Sequence, residues 1–499
     1  MFEFLTIGTV LLCLLGVVVG IIFGFLPGLS ATMGVALMMP FTFGMPLTSS
    51  MALLLGVYCG GIYGGSITAI LIRTPGTPAS AATVLDGYPL TQKGLAKRAL
   101  DTATMSSMMG GLFRCIILIL LAKRIATFAL RFGAPEYFAV GIFGLSMVTA
   151  LSSKNIRKGL VSCILGFMLS TIGLDSLSGA TRFTLGNIYM MAGVETVTAL
   201  VGLFAISEFL SKLQSAGKKG PDSTIAKYGG KGMSIFELIK GHWTNLLRSS
   251  VIGTIVGIIP ATGSGTAGWI SYNEAKRASK EPETFGQGNI DGVVAAESSN
   301  NAVTGGALIP LLTLGVPGDT VTAVLLGALM LQGITPGPML FVQRPDEVNF
   351  IYLLMILANV FFCILGVTCV PLFVKVLKVP TSALMAGVLG LCCIGAFAVR
   401  GYVFDIQCAL VLAIVGYLFS KTDYPIPPVL LGLLLGKTIE ANFRRAMTQT
   451  GGDWTIFFTR PICCVMLVIS IAAFCWPILQ AIIKYVKERK AAKAESAAE

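Results

Sequence analysis

The stretch GGIYGGSITAILIRTPGTPASAATVLDGYPL, residues Gly60–Leu90, decides how this chain is read, because GGALIPLLTLGVPGDTVTAVLLGALMLQGITPGP, residues Gly305–Pro338, follows the same plan. Placing Pro75-Gly76 on Pro317-Gly318 also places Gly64 on Gly306, both at an offset of 242 (317 minus 75, 306 minus 64). Downstream, Leu85-Asp86-Gly87 answers Leu331-Gln332-Gly333 with a small change of length. Each copy is an apolar run that breaks at Pro-Gly and resumes as another apolar run. Proline removes a backbone donor and interrupts a helix, so each copy reads as a broken helix or helical hairpin, and its apolarity places it in a membrane.

The likeness continues upstream. Gly24-Phe-Leu-Pro27-Gly28-Leu-Ser30-Ala-Thr32 faces Gly257-Ile-Ile-Pro260-Ala261-Thr262-Gly263-Ser264-Gly265-Thr266, a second apolar helix that breaks at proline into small and hydroxyl residues. From this break to the Pro-Gly tip is 48 residues in the first copy (75 minus 27) and 57 in the second (317 minus 260). The nine additional residues fall in the polar segment between Tyr272 and Asn289.

Composition agrees. Of 499 residues, 55% are hydrophobic and 12% charged, against about a quarter charged in a soluble domain. No Asp, Glu, Lys, Arg or His occurs from Phe4 to Ile72, a run of 69 residues (72 minus 4, plus 1); a membrane helix needs about 20, so three full or partial crossings fit. The start MFEF carries Glu3 in place of Lys or Arg, which argues against a cleaved signal peptide. The net charge of +12 is spread in short clusters between apolar runs, the pattern of a topology signal rather than a nucleic-acid-binding face. The twelve cysteines lie almost entirely in hydrophobic segments, without a C-x-x-C and with His242 as the single histidine. They read as buried filler, not as disulfides or a zinc site.

Hydropathy windows place membrane segments near 5–26, 30–45, 49–72, 77–90, 101–121, 135–151, 158–175 and 195–211, then near 249–270, 293–316, 320–333, 349–373, 384–399, 403–420, 425–437 and 460–483. The expected organisation is all-α and polytopic: a first membrane repeat over 1–211, a basic linker over 212–248, a second repeat over 249–459, a further C-terminal helix over 460–483 and a basic tail over 484–499. The linker holds Lys212, Lys218, Lys219, Lys227, Lys231, Lys240 and Arg248, so it and the tail are expected on the cytoplasmic side. Within it, Ser234–Arg248 is amphipathic and carries Trp243, which suits a helix lying in the membrane interface. A basic centre and tail after a start poor in positive charge fit two halves of opposite orientation.

Irregular backbone at membrane depth survives only where protein or a watery cavity satisfies it. Discontinuous helices turn N–H-rich termini toward anions and free carbonyls toward cations, as in repeat-built secondary transporters. The candidate solute-binding residues are therefore those at the breaks: Pro27, Gly28, Ser30, Thr32, Ser66, Thr68, Arg73, Thr74, Pro75, Gly76 and Thr77 in the first copy. In the second they are Pro260, Thr262, Gly263, Ser264, Gly265, Thr266, Pro317, Gly318 and Thr320. Any single glycine here is better explained by close helix packing; the two Pro-Gly tips together point to a site. Asn300, Asn301, Thr304 and Asp319 are candidates for a coupling ion, since amide carbonyls and carboxylates offer oxygen to a cation. An interhelical hydrogen bond accounts for the two amides equally well. Glu297 is expected nearer the interface. Arg73 and Asp319 are each the sole charge in an apolar stretch; such charges contact a cavity, a partner or each other, or else reach the interface. Arg114 reads as snorkelling or structural. Nucleotide, serine-hydrolase and zinc-protease motifs are missing, and one histidine supplies no metal cluster, so neither enzyme nor cofactor is expected.

The segments Gly24-x-x-Pro27-Gly28, Tyr63-Gly64-Gly65-Ser66-Ile67-Thr68-Ala69-Ile70-Leu71, Pro75-Gly76-Thr77-Pro78-Ala79-Ser80, Leu85-Asp86-Gly87-Tyr88-Pro89 and Gly305-Gly306-Ala307-Leu308-Ile309-Pro310-Leu311 to Pro317-Gly318 resemble the large membrane subunit of the tripartite tricarboxylate transporters, the TctA type, over essentially the whole chain. The resemblance implies a bacterial inner-membrane secondary transporter. Its partners would be a small four-helix membrane subunit (TctB type) and a periplasmic solute-binding protein (TctC type). Its solutes would be organic carboxylates such as citrate, coupled to a sodium or proton gradient. Similarity to the ion-transporter superfamily that includes the TRAP large subunits implies inverted repeats and an elevator-like movement of the hairpins. The chain departs from that pattern at Arg73, where asparagine is expected, and at Asp319, where a small polar residue is expected; a salt bridge between them would account for both. A homodimer is left open. The rival reading is a channel-like or structural membrane component, with a membrane enzyme a distant third.

Overall fold

The computed structural model describes residues 2–26, 29–146, 148, 155–175, 178–215, 230–259, 262–376 and 381–475. Pro27, Gly28, Pro260, the part of the basic linker over 216–229, and the C-terminal tail lie outside the described residues. Ten helices carry the argument: α1 (Ile7–Phe25), α2 (Ala31–Met38), α3 (Leu47–Ile72), α4 (Val84–Gln92), α5 (Ala96–Ala129), α6 (Ile235–Ile258), α7 (Gly263–Ala278), α8 (Ile290–Leu314), α9 (Thr320–Leu331) and α10 (Pro345–Thr368). Among the described residues, α1, α3, α5, α10 and Val403–Lys421 are long and apolar enough to cross a membrane. The chain is thus an all-α, multi-pass membrane protein, as its apolar runs demand.

Two compact units divide the chain: Met1–Leu130 with Glu195–Tyr417, and Arg131–Val194 with Leu418–Glu499. In the first unit, α1 packs along α3 and α6 along α8 through glycine faces, where backbone meets backbone. A Cβ added at Gly20 would stand 2.4 Å from the Val57 carbonyl oxygen, and one at Gly24 2.2 Å from that of Gly61. Gly253 and Gly257 approach the carbonyls of Ser299 and Val303 in the same way, at 2.2 and 2.5 Å. Gly64 and Gly306 return the contact, each 2.5 Å from a carbonyl, of Ile21 and Thr254 respectively. Every pair in one set becomes a pair in the other by adding 233 to the α1 residue and 242 to the α3 residue. The nine-residue difference falls between α7 and α8, where Asp86 gathers the connection. Its Oδ1 accepts from the amides of Gly286, Gly288 and Asn289, each at 2.8 Å, and its Oδ2 from the Tyr272 hydroxyl at 2.8 Å.

The interfacial helix expected over Ser234–Arg248 is not a separate element. It is the first half of α6, which runs unbroken into the apolar segment and stops at Ile258. No proline lies between Arg248 and Ile258, so nothing ends the helix there, while Phe236 and Trp243 remain exposed as the amphipathic pattern requires. In the second unit, Ile156–Ser170 packs on Pro427–Gln449 at Gly166 and Gly432. A two-stranded ribbon, Gly173–Leu174 with Thr181–Arg182, closes beside it. There Asp175 pairs with Arg444 at 2.8 Å and Arg182 at 3.1 Å, and Glu440 with Arg182 at 2.7 Å, around a cavity of 170 Å³. The twelve cysteines are free, six of them buried, in line with their reading as filler.

Candidate functional site

The first tip forms because α3 cannot continue past Arg73. That residue is left-handed (φ 59°), and its amide closes on the Thr68 carbonyl. Pro75 and Gly76 follow, then a 3-10 turn over Pro78–Ser80. The second tip repeats this chemistry with the residue the conformation prefers: Gly315 (φ 72°) ends α8, and Pro317-Gly318 leads to Asp319, the N-cap of α9. Each tip glycine is pressed onto a glycine helix face. A Cβ on Gly76 would lie 2.0 Å from the Gly24 carbonyl oxygen and 2.9 Å from Gly65 Cα; on Gly318 it would lie 2.8 Å from the Gly257 carbonyl oxygen and 2.5 Å from Ala307 Cα.

Beyond these glycines each tip meets the broken helix of the other copy. Thr320, opening α9, shares a 3.0 Å hydrogen bond with Thr32, in the first turn of α2 after the first break. Gly265, in the first turn of α7 after the second break, approaches the Pro78 carbonyl so closely that a Cβ would stand 2.9 Å from it. These two contacts are counterparts, since 32 plus 233 is 265 and 78 plus 242 is 320. Around the second tip, Asp319 accepts from the Thr322 amide at 2.7 Å as a capping carboxylate, and from the Tyr58 hydroxyl at 2.6 Å. Around the first, Asn300 donates to the Ala79 carbonyl at 3.1 Å. Tyr58 and Asn300 again stand 242 apart, so each tip is held by the side chain at the same place on the partner copy's long helix.

The proposed pairing of Arg73 with Asp319 does not occur. Arg73 is exposed and lies over the Tyr88 ring at 5.9 Å, while Asp319 is 8% exposed and committed to Tyr58 and its own helix. Thr74 and Ser30 are half-buried and Pro75 exposed; Ser30 caps α2 at Met33. Thr262, Gly263, Ser264 and Gly265 are half-buried and Thr266 exposed, whereas Ser66, Thr68, Gly76, Thr77, Pro317 and Gly318 are buried. The structure thus brings Thr32 to Thr320 and the α7 start to Pro78–Ala79. Thr304 bonds the Asn301 carbonyl at 3.0 Å, deep in α8.

Glu297 does not sit near the interface; it is 0% exposed, receiving hydrogen bonds from Thr83 on Oε1 and from Ser107 on Oε2, the latter at 2.8 Å. A charge early in an apolar segment reads as reaching toward water, whereas the packing of α5 and the first hairpin on α8 covers it with the hydroxyls of Thr83 and Ser107. Arg114 does not snorkel either. It is fully buried against Gly305, with Nε donating to the Gly111 carbonyl at 3.0 Å and Nη1 without a partner.

A family model, the Tripartite tricarboxylate transporter TctA family, matches residues 10–431. The chain belongs to that family. This TctA-family chain is 36% identical over 464 residues to an uncharacterized 52.8 kDa protein from the TAR-I ttuC' 3'region of Agrobacterium vitis, covering 92% of this chain and 91% of the relative. It is also 38% identical over 215 residues to an uncharacterized protein from the TAR-II ttuC' 3'region of the same organism, covering 43% of this chain and 89% of that relative. No solved structure matches it. Membership makes it a membrane component of a tripartite transport system. Tyr58, Thr83, Ser107 and Arg114 are the members of the polar interior that sequence reasoning did not assign to the site. Tyr58 carried a signal, because the offset of 242 that aligns the tips sets it opposite Asn300, and Arg114 carried one as a charge in an apolar run; Thr83 and Ser107 carried none.

Proposed function

We infer that this chain is the large permease subunit of a binding-protein-dependent secondary transporter that imports organic di- or tricarboxylates. The observation that carries this reading is the reciprocal docking of the two Pro-Gly tips: each half's hairpin closes on the other half's broken helix, Thr320 on Thr32 and Pro78 on Gly265. Small residues, hydroxyls and helix N-termini converge there, the equipment for holding an anion without burying an unpaired lysine or arginine. The two halves are read as repeats of opposite orientation, and an elevator-type movement of the hairpins would expose the docked region to alternate sides. The solute would reach it from a periplasmic binding protein of the TctC type, beside a small TctB-type subunit, in the bacterial inner membrane. Sodium or protons would drive it. Arg73, exposed beside the first tip, supplies a positive charge for a carboxylate.

The test is uptake of a labelled carboxylate panel into proteoliposomes holding this chain, its small subunit and its binding protein, with and without a sodium or proton gradient. Saturable, gradient-dependent uptake that vanishes without the binding protein is expected. Uptake independent of both would replace this reading with a channel.

A further inference from the structure

We propose that Glu297 is the group through which this protein takes up a single positive charge, a proton or a sodium ion, in step with its solute; the inference rests on the carrier reading above and gives its coupling a residue. Glu297 is 0% exposed two turns into α8, and both carboxyl oxygens are held by neutral hydroxyls, those of Thr83 and Ser107. Among the described residues no lysine, arginine or histidine pairs with it. An ionised carboxylate moved from water into such a place costs several kcal/mol even after relaxation, and two hydrogen bonds from hydroxyls offset only part of that. The group is therefore neutralised when the protein is packed this way, either by its own proton or by a bound cation.

The surroundings contain oxygen to share. Asn301 Oδ1, one turn along α8 from Glu297, is buried without a hydrogen-bond partner. Asn301 spends its amide hydrogens on the carbonyl of Glu297 at 3.3 Å and on Asn300 Oδ1 at 2.6 Å, so its own carbonyl is left to an incoming group. Carboxylate, amide carbonyl and hydroxyl oxygens are the donors that hard cations take. Among the other ionisable groups on the packed elements, His242 on α6 pairs with Asp291 at 2.8 Å, Arg248 turns to Asn245, and Arg114 keeps Nη1 without a partner. Tyr63 on α3 bonds Thr104, Asp86 on α4 holds three amides and Tyr272 of α7, Asp101 on α5 accepts from the Met233 amide, and Arg114 lies two turns beyond Ser107 against Gly305. From α6 the buried residues near this level, Ser249, Ser250 and Gly253, are neutral.

Position couples the charge to movement. Thr83 belongs to the first hairpin, and Asn300, one helical turn beyond Glu297, holds the Ala79 carbonyl of the same hairpin. A negative charge appearing at Glu297 reorganises both anchors of that hairpin at once.

The experiment is a thermal-unfolding titration of the purified full-length protein, in choline or sodium chloride across a range of pH, for the wild type and Glu297→Gln, which keeps shape and removes the charge. The midpoint of the wild type should fall as pH rises if the occupant is a proton, or recover with sodium but not choline at high pH if it is sodium. Glu297→Gln should lose that dependence, and Asn301→Ala should lose the sodium response alone. Wild type and Glu297→Gln with the same pH and sodium profiles would overturn the proposal. Should the glutamine variant not be recovered folded, reaction of the wild type with an apolar carbodiimide, mapped by peptide mass, decides. Modification at Glu297 that declines with rising pH or added sodium supports it, and modification unaffected by either overturns it. Neither measurement requires transport, so a failure here is distinct from a failure of the carboxylate-carrier reading.

Discussion

Replacing Gly76 by alanine tests the docking of the first tip most directly. The added Cβ would stand 2.0 Å from the Gly24 carbonyl oxygen, 2.9 Å from Gly65 Cα and 3.0 Å from Thr68 Oγ1. Two of these are backbone atoms of helices already in contact, so no side chain can swing aside. Overpacking of this kind costs about 1–3 kcal/mol, and the absence of a yielding neighbour on the α1 and α3 sides puts the expected cost near ~3 kcal/mol. That is a roughly hundredfold change in an equilibrium ratio. With an unfolding entropy of about 2.1 cal/mol/K per residue over 499 residues, the melting midpoint should fall by ~3 °C. Gly241 supplies the opposite sign: it lies inside α6 with nothing within 4 Å of an added Cβ, and alanine there should gain about 1 kcal/mol of helix propensity. Both are read by thermal unfolding in detergent, followed by carboxylate uptake. A Gly76→Ala protein that melts and transports like the wild type would show that the tip is not seated against Gly24 and Gly65 as described.

Arg73→Gly places the preferred residue at a left-handed helix end (φ 59°), so stability should rise by about 1 kcal/mol while carboxylate uptake drops sharply; equal uptake would remove Arg73 from solute recognition. Asp319→Asn keeps a side chain able to cap α9 and accept from Tyr58, so the fold should survive, whereas Asp319→Ala should cost about 1 kcal/mol for the cap and about 1–3 kcal/mol more for the orphaned Tyr58 hydroxyl. A double-mutant cycle with Tyr58→Phe should return a coupling of about 0.5–3 kcal/mol, and a coupling of zero would dismiss the bond. Asp86→Ala strands three amides and the Tyr272 hydroxyl, so it should lower stability by ~3 kcal/mol or more, measured as loss of folded protein on size exclusion after heating.

The breaks were legible because proline and glycine act locally: Leu26, Arg73, Ile259 and Gly315 end helices where the sequence places Pro or Gly within three residues. What the sequence withheld is tertiary. Nothing in Pro78 announces that Gly265 will lie under its carbonyl, and nothing in Thr32 points to Thr320. Glu297 was misplaced because hydropathy averages along the chain, while its burial is decided by Thr83 and Ser107, 214 and 190 residues away. The helix through Arg248 was divided in two for a related reason: a charge resembles a boundary, yet Arg248 only turns to Asn245, one turn back.

The glycine faces of α1 on α3 and of α6 on α8 act as mechanical detents. With carbonyls pressed to within a Cβ radius of Gly20, Gly24, Gly253 and Gly257, sliding either helix by one residue would drive Val, Ile or Phe side chains into backbone. Each pair is therefore a stiff plate with one register, and compliance is left to the tips, where a few hydrogen bonds and two glycines make the joint. A cross-link within α1–α3 or α6–α8 should therefore be tolerated, and if the tips are the moving parts, one between Thr32 and Thr320 should stop transport.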